Sequence, residues 1–205
     1  NGVERPWYND NDQISVNFKN NGEGLQLTKP THFNTGNYTV IFVAKQNETG
    51  RSILYGDHGE TSNYNINFEP HSLGRMRFYW GSPDFFSNIY NETYNWHFWI
   101  FERNEYTHLR VSNELGATET YSNWGSNKSN NSNQRGWIGR DGRDNNSVSL
   151  IGEISEILSF DKVLTPDEYA KVKLYLSQKW NLSTIVDSDG DGLKDSEETT
   201  TNPLL

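Results

Sequence analysis

Two stretches of this chain, residues 38–45 and 96–101, are apolar at nearly every position. A strand turns successive side chains to opposite faces, so a run that is apolar throughout must be covered on both sides. These two stretches therefore read as the middle of a β-sandwich. Shorter runs at residues 14–18, 24–27, 52–55, 64–68, 75–80, 107–112, 117–121, 136–139 and 148–160 complete an all-β pattern, with Gly, Asn, Asp and Ser clusters between them. Arg75-Met76-Arg77-Phe78-Tyr79-Trp80 alternates charge with bulk and predicts a strand with one wet face. Asn occupies 26 of the 205 positions and aromatics make up 14%. The first suits turns, where its side chain imitates backbone hydrogen bonding, and the second suits half-buried strand faces.

One helix interrupts the pattern. Thr165-Pro166-Asp167-Glu168 supplies an N-cap, a proline at the first helical position and a Glu that completes a capping box. Tyr169, Val172, Leu176 and Trp180 follow at helical spacing and form one apolar face, with Asn181 as the stop.

After a short stretch read as a linker, Ser183-Thr184-Ile185-Val186, comes Asp187-Ser188-Asp189-Gly190-Asp191-Gly192-Leu193-Lys194-Asp195-Ser196-Glu197-Glu198. Acids stand at loop positions 1, 3, 5, 9 and 12, with glycine at position 6. A hard cation such as Ca²⁺ takes about six to eight oxygens, which short carboxylates at odd positions of a tight loop can supply. The spacing assigns side-chain oxygens to Asp187, Asp189 and Asp191, a backbone carbonyl to Leu193, a direct or water-bridged contact to Asp195 and a bidentate one to Glu198. With a linker before it, the loop reads as separate from the sandwich. Its loss should leave the sandwich's melting temperature nearly unchanged.

The loop, followed by Thr201-Asn202-Pro203, resembles bacterial calcium-binding repeats related to thrombospondin type 3 repeats. Such units come in tandem as stiff extracellular spacers, so the resemblance implies a piece of a longer protein. Upstream, Gly152-Glu153-Ile154-Ser155-Glu156-Ile157 through Phe160-Asp161, the Leu164–Glu168 stretch and the helix ending Tyr175-Leu176-Ser177-Gln178-Lys179-Trp180 resemble the last strand and closing helix of laminin G-like domains. These belong to the concanavalin A-like lectin and glucanase group. Residues 33–45, Trp96-His97-Phe98-Trp99-Ile100 and Gly136-Trp137-Ile138-Gly139 resemble earlier strands of the same family, in the same order. The resemblance covers about residues 8–182. It implies an all-β, two-sheet antiparallel jelly-roll sandwich with one C-terminal helix (residues 1–182), followed by a linker and calcium-loop tail (residues 183–205).

Charge and composition narrow the partners. A net charge of −9 argues against nucleic acid and against an anionic membrane surface. No apolar run is long enough to span a bilayer. The chain lacks cysteine, so disulfides do not stabilise it. Glucanases on this fold flank a sugar linkage with paired carboxylates about 5–5.5 Å apart. The nearest pair here, Glu153 and Glu156, stands three apart and reads as pointing to opposite faces of a strand. The expectation is therefore a non-catalytic module. Sugar recognition needs flat aromatic faces and planar polar groups. Trp80 and Trp124 are candidate platforms, beside Asp57, His58, Asp84, Arg140, Arg143 and Asp144, with the arginines suited to carboxylate or sulfate. The sequence thus reads as a glycan-binding, lectin-like monomeric module of a larger secreted or cell-surface bacterial protein, with Ca²⁺ in its tail. Protein adhesion or passive spacing is the alternative.

Overall fold

A computed structural model describes residues 7–9, 14–28, 36–57, 66–71, 75–80, 84–104, 108–122, 136–141 and 148–198. Among these residues the elements in chain order are β1 (Trp7–Asn9), β2 (Ser15–Phe18), β3 (Leu25–Gln26), β4 (Tyr38–Gln46), β5 (Tyr55–Asp57), β6 (Ile66–His71), β7 (Arg75–Trp80), β8 (Asp84–Tyr90), β9 (Trp96–Asn104), β10 (His108–Ser112), β11 (Thr118–Ser122), β12 (Gly136–Ile138), β13 (Gly152–Phe160) and α1 (Pro166–Lys179). They form two antiparallel sheets, in the orders β1-β2-β13-β4-β9-β10-β11 and β3-β12-β5-β6-β7-β8. The fold is the two-sheet antiparallel jelly-roll sandwich with one helix that the sequence implies.

The inner faces meet in one aromatic-rich core. Tyr38, Val40, Phe42, Trp99 and Phe101 come from the seven-stranded sheet, and Tyr55, Phe68, Met76 and Phe78 from the six-stranded one. Phe68 stacks on Phe101 at 4.8 Å between centroids and meets Phe78 edge-on at 5.0 Å. Such pairs add about 0.5–1.5 kcal/mol each beyond the area they bury. At Gly139 the backbone has φ +81°, and an added Cβ would stand 2.3 Å from the Phe18 ring, so glycine lets β12 turn close over the core.

β4 and β9 are covered on both faces, as their composition demands, but the second cover is not a sheet. Ile41, Val43, Phe98 and Ile100 point outward, away from the six-stranded sheet, and are sealed by Leu164, Leu176, Leu182 and Val186. Tyr169, Val172 and Trp180 of α1 join them. The helix begins on the predicted capping box, with Thr165 Oγ1 accepting from the Glu168 amide at 3.3 Å and Glu168 Oε2 from the Thr165 amide at 3.0 Å. It ends at Asn181, whose φ of +54° is the left-handed stop that Asn tolerates.

Two expectations are corrected. Residues 183–186 are not a free linker: Val186 is fully buried and Ile185 packs on the outer cluster. Glu153 and Glu156 do not point to opposite faces. The register of β13 against β4 shifts between Ile154 and Glu156, and this bulge returns both acids to the outer face. There Glu153 pairs with Lys45 at 2.6 Å, and Glu156 with Lys179 at 2.8 Å.

Candidate functional site

Strand register gathers part of the predicted site. Trp80 closes β7 opposite Ile66, Asp84 opens β8 opposite Tyr79, and Asp57 closes β5 opposite Gly136. All three lie at one end of the six-stranded sheet. His58, Trp124, Arg143 and Asp144 fall outside the described residues. Arg140 belongs to the opposite end, beyond the far end of β12. It is 3% exposed, its guanidinium lies 4.5 Å from the Trp137 ring centroid, and it donates to the carbonyls of Asp141 and Gly22. That guanidinium braces two turns.

The end where Arg140 lies also holds the calcium loop and an open groove of about 590 Å³. One wall is the β8–β9 turn, with Tyr90, Glu92 and Trp96. A second is the turn after β10, with Glu114 and Leu115, and a third is Ile185, just before the loop, with Lys194 within it. Its volume falls within the roughly 300–1,000 Å³ usual for ligand sites. Tyr90 is 54% exposed and Tyr94, in the same turn, 60%. Tyr94 has φ +75°, an uncommon setting for a bulky side chain, fixed by its amide donating to the Gln46 carbonyl at 2.7 Å. Trp96 is half-buried, with the Lys45 ammonium 5.3 Å from its ring centroid. Strand pattern alone hid this groove, because Trp96 reads as the start of a core strand. The signal available was a tyrosine and a tryptophan, Tyr90 and Trp96, on either side of a polar turn.

His97 and Glu114 floor the groove. His97 Nδ1 lies 2.6 Å from Glu114 Oε1, and Nε2 lies 3.0 Å from the Glu92 carbonyl. Glu114 Oε2 also accepts from the Phe98 amide at 3.1 Å.

In the tail, the carboxylates of Asp187, Asp189 and Asp191 bring oxygens within 4.8 Å of one another. Asp187 accepts from the amides of Gly190 (2.6 Å) and Gly192 (3.0 Å), which have φ of +83° and +100° and let the chain fold back over it. Asp195 turns its carboxylate to the Ser188 amide and hydroxyl, both at 2.9 Å. Leu193 is exposed and donates its amide to Asp191. Desolvation, then repulsion from Asp189, Asp191, Asp195 and Asp187, holds the Glu198 carboxyl above the usual carboxylate range. Three clustered carboxylates can hold a metal ion, and a hard oxygen donor set with adjacent repelling acids suits a hard divalent cation.

The other buried acids are tied to donors. Glu69 is wholly buried and binds Arg51 through two bonds (2.8 and 2.6 Å) and Arg77 at 2.7 Å. Glu102 binds Arg110, His108 at 3.1 Å and the Tyr169 hydroxyl at 2.6 Å. Burial and the Glu102 charge push the Tyr169 hydroxyl pKa well up, which keeps it a donor. A smaller cavity of about 240 Å³ lies between Arg110, Tyr169, Lys173 and Asp189.

No protein-family model matches the sequence, and no curated protein matches it. Solved structures share the fold. Domain 4 of AbnA, a GH43 extracellular arabinanase from Geobacillus stearothermophilus solved with arabinotriose, superposes with TM-score 0.63 at 17% identity, over 78% of this chain and 77% of that one. The CBM40 domain of Ruminococcus gnavus IT-sialidase, bound to α2,3-sialyllactose, gives 0.58 at 11% identity, over 74% and 96%. The heptameric SAP-like pentraxin of Limulus polyphemus gives 0.50 at 18% identity, over 63% and 65%. Among the described residues, no helix is long and apolar enough to cross a membrane.

Proposed function

We propose that this chain is a non-catalytic carbohydrate-binding module of a larger extracellular bacterial protein, laminin G-like in its sandwich and carrying Ca²⁺ in its C-terminal repeat. The groove beside the β8–β9 turn carries the reading. It sets the exposed Tyr90 and a half-buried tryptophan next to carboxylate, amide and ammonium groups, the mixture that a sugar's C–H faces and hydroxyls require. Neighbours of the same fold solved with arabinotriose and sialyllactose support it. Glu69, Glu102, Glu114 and Glu153 support the absence of catalysis, since each is held by a cation or by hydrogen-bond donors. Asp187, Asp189 and Asp191, with Glu198 and the Leu193 carbonyl, would hold Ca²⁺, which supplies positive charge that relieves their mutual repulsion.

Affinity electrophoresis against arabinan, xylan, β-glucan and a sialylated glycan tests the proposal. Retardation by one class, weakened at least tenfold in Tyr90→Ala but not in Trp80→Ala, is the expected result. Loss confined to Trp80→Ala would move the site to the other end of the six-stranded sheet. No retardation by any polysaccharide, from folded protein, would favour protein adhesion or spacing.

A further inference from the structure

We infer that Glu114 couples the calcium loop to the saccharide groove, so that calcium uptake fixes the groove's shape and capture there is calcium-dependent. The inference rests on the groove being the saccharide site. Glu114 lies in the turn after β10, which forms one wall of the groove, and bonds both to β9 and to the first residue of the loop. Its carboxylate holds His97 at 2.6 Å and the Phe98 amide at 3.1 Å, at the start of β9. Its backbone carbonyl accepts from the amide of Asp187, the first loop position, at 3.4 Å. His97 passes the restraint on to the Glu92 carbonyl at 3.0 Å, on the groove rim. A second tether holds the loop's entry: Lys173 of α1 donates to the Asp187 carbonyl at 2.5 Å. The loop also contributes Lys194 to the groove wall, and Asp195, one residue on, donates its amide to the Val186 carbonyl at 2.8 Å.

Without a cation, the clustered carboxylates repel and favour an opened loop. Opening moves Asp187 away from Glu114 and Lys194 away from the groove. Glu114 is thus a positioning residue that acts through the turn it holds. Linkage is reciprocal, so saccharide in the groove raises calcium affinity by the factor by which calcium raises saccharide affinity, typically about 5–150-fold for coupled sites.

Hydrogen exchange read by mass spectrometry, on the full chain in calcium chloride and in EDTA, tests this without any saccharide. Calcium should slow exchange at residues 92–98 by about tenfold in the wild type, within the usual range of coupling. In Glu114→Ala, calcium should still protect residues 187–198 while residues 92–98 no longer respond. Glu114→Gln, which keeps an acceptor for the Phe98 amide, should recover part of the response. If calcium protects the loop and leaves residues 92–98 unchanged in the wild type, the coupling is wrong. A full response surviving in Glu114→Ala would also overturn it. Should Glu114→Ala fail to fold, the wild-type comparison decides by itself. The polysaccharide panel, run in the same two buffers, separates the two ideas. Coupled exchange with no saccharide bound in either buffer would sink the carbohydrate reading and leave the calcium linkage standing.

Discussion

His71 shows how closely the outer face of the six-stranded sheet is arranged. Its ring meets Phe86 edge-on at 5.1 Å, and Phe86 also lies 4.9 Å from the Arg77 guanidinium. Burial lowers the His71 pKa from 6.5; Glu69 opposes the shift, and Arg77, Arg51 and Arg75 reinforce it. The unfolded chain therefore takes up a proton at a higher pH than the folded one. The contribution to stability is complete above about pH 6.5 and declines as pH falls from there through the folded value. Urea midpoints measured between pH 7.5 and 5 should fall less steeply in His71→Gln than in the wild type. Equal slopes would show that the ring's environment does not favour the neutral form. The sequence read the neighbouring strand, Arg75–Trp80, as having one wet face. It could not show that Glu69, in the same strand as His71 and opposite Arg77, would be wholly buried between two arginines, because cross-strand pairing is a property of register.

At the level of elements, α1 was the most legible part of the chain. Cap, proline, apolar face and stop all lie within one local segment, and local signals suffice for helix ends. Its partner surface was half legible. The two-faced apolar runs demanded cover on both sides, and the fold shows that α1 supplies the second one together with residues 182–186. β8 left no readable pattern. Phe85 and Phe86 face opposite ways and its register against β7 then shifts, so alternation breaks where a period-two rule looks for it. The bulge in β13 deceived the reading of Glu153 and Glu156 for the same reason. Because the cap fixes the end of the helix that covers Ile41 and Ile100, Thr165→Ala should cost about 1 kcal/mol, within the usual range for caps. The loss should appear as a lower urea midpoint with unchanged slope. A change below a few tenths of a kcal/mol would mean that packing alone holds the helix start.

For the whole molecule, the tail is joined to the sandwich rather than hung from it. Val186 is buried in the outer cluster, Lys173 holds the Asp187 carbonyl, and the Ser196 amide reaches back to the Ser183 carbonyl at 3.0 Å. The expectation of an independent loop therefore gives way to a coupled one. A ligand that binds only the folded form stabilises it by about 2.7 kcal/mol at a concentration a hundredfold above its Kd. EDTA should thus lower the melting temperature of the entire domain by several degrees in calorimetry. Asp189→Ala with Asp191→Ala should abolish the difference between calcium and EDTA. A single transition that ignores calcium would refute the coupling. The acidic spacing was readable as a cation loop because chelation depends on a short local pattern. Its docking was not, since that depends on Glu114 and Lys173, which are 73 and 14 residues away from Asp187 in sequence.

The strand order also sets a timetable. β13 lies between β2 and β4, and Ser15 donates to Glu153 across 138 residues. The slot for β13 stays open until nearly the whole domain has left the ribosome. Until then β2 and β4 each present an unpaired edge to any neighbouring chain. So large a share of distant pairing belongs to folds that form in milliseconds to seconds rather than microseconds. A chain that stalls before β13 emerges is left as a half-built sheet with two adhesive borders, so finishing translation is itself a folding step.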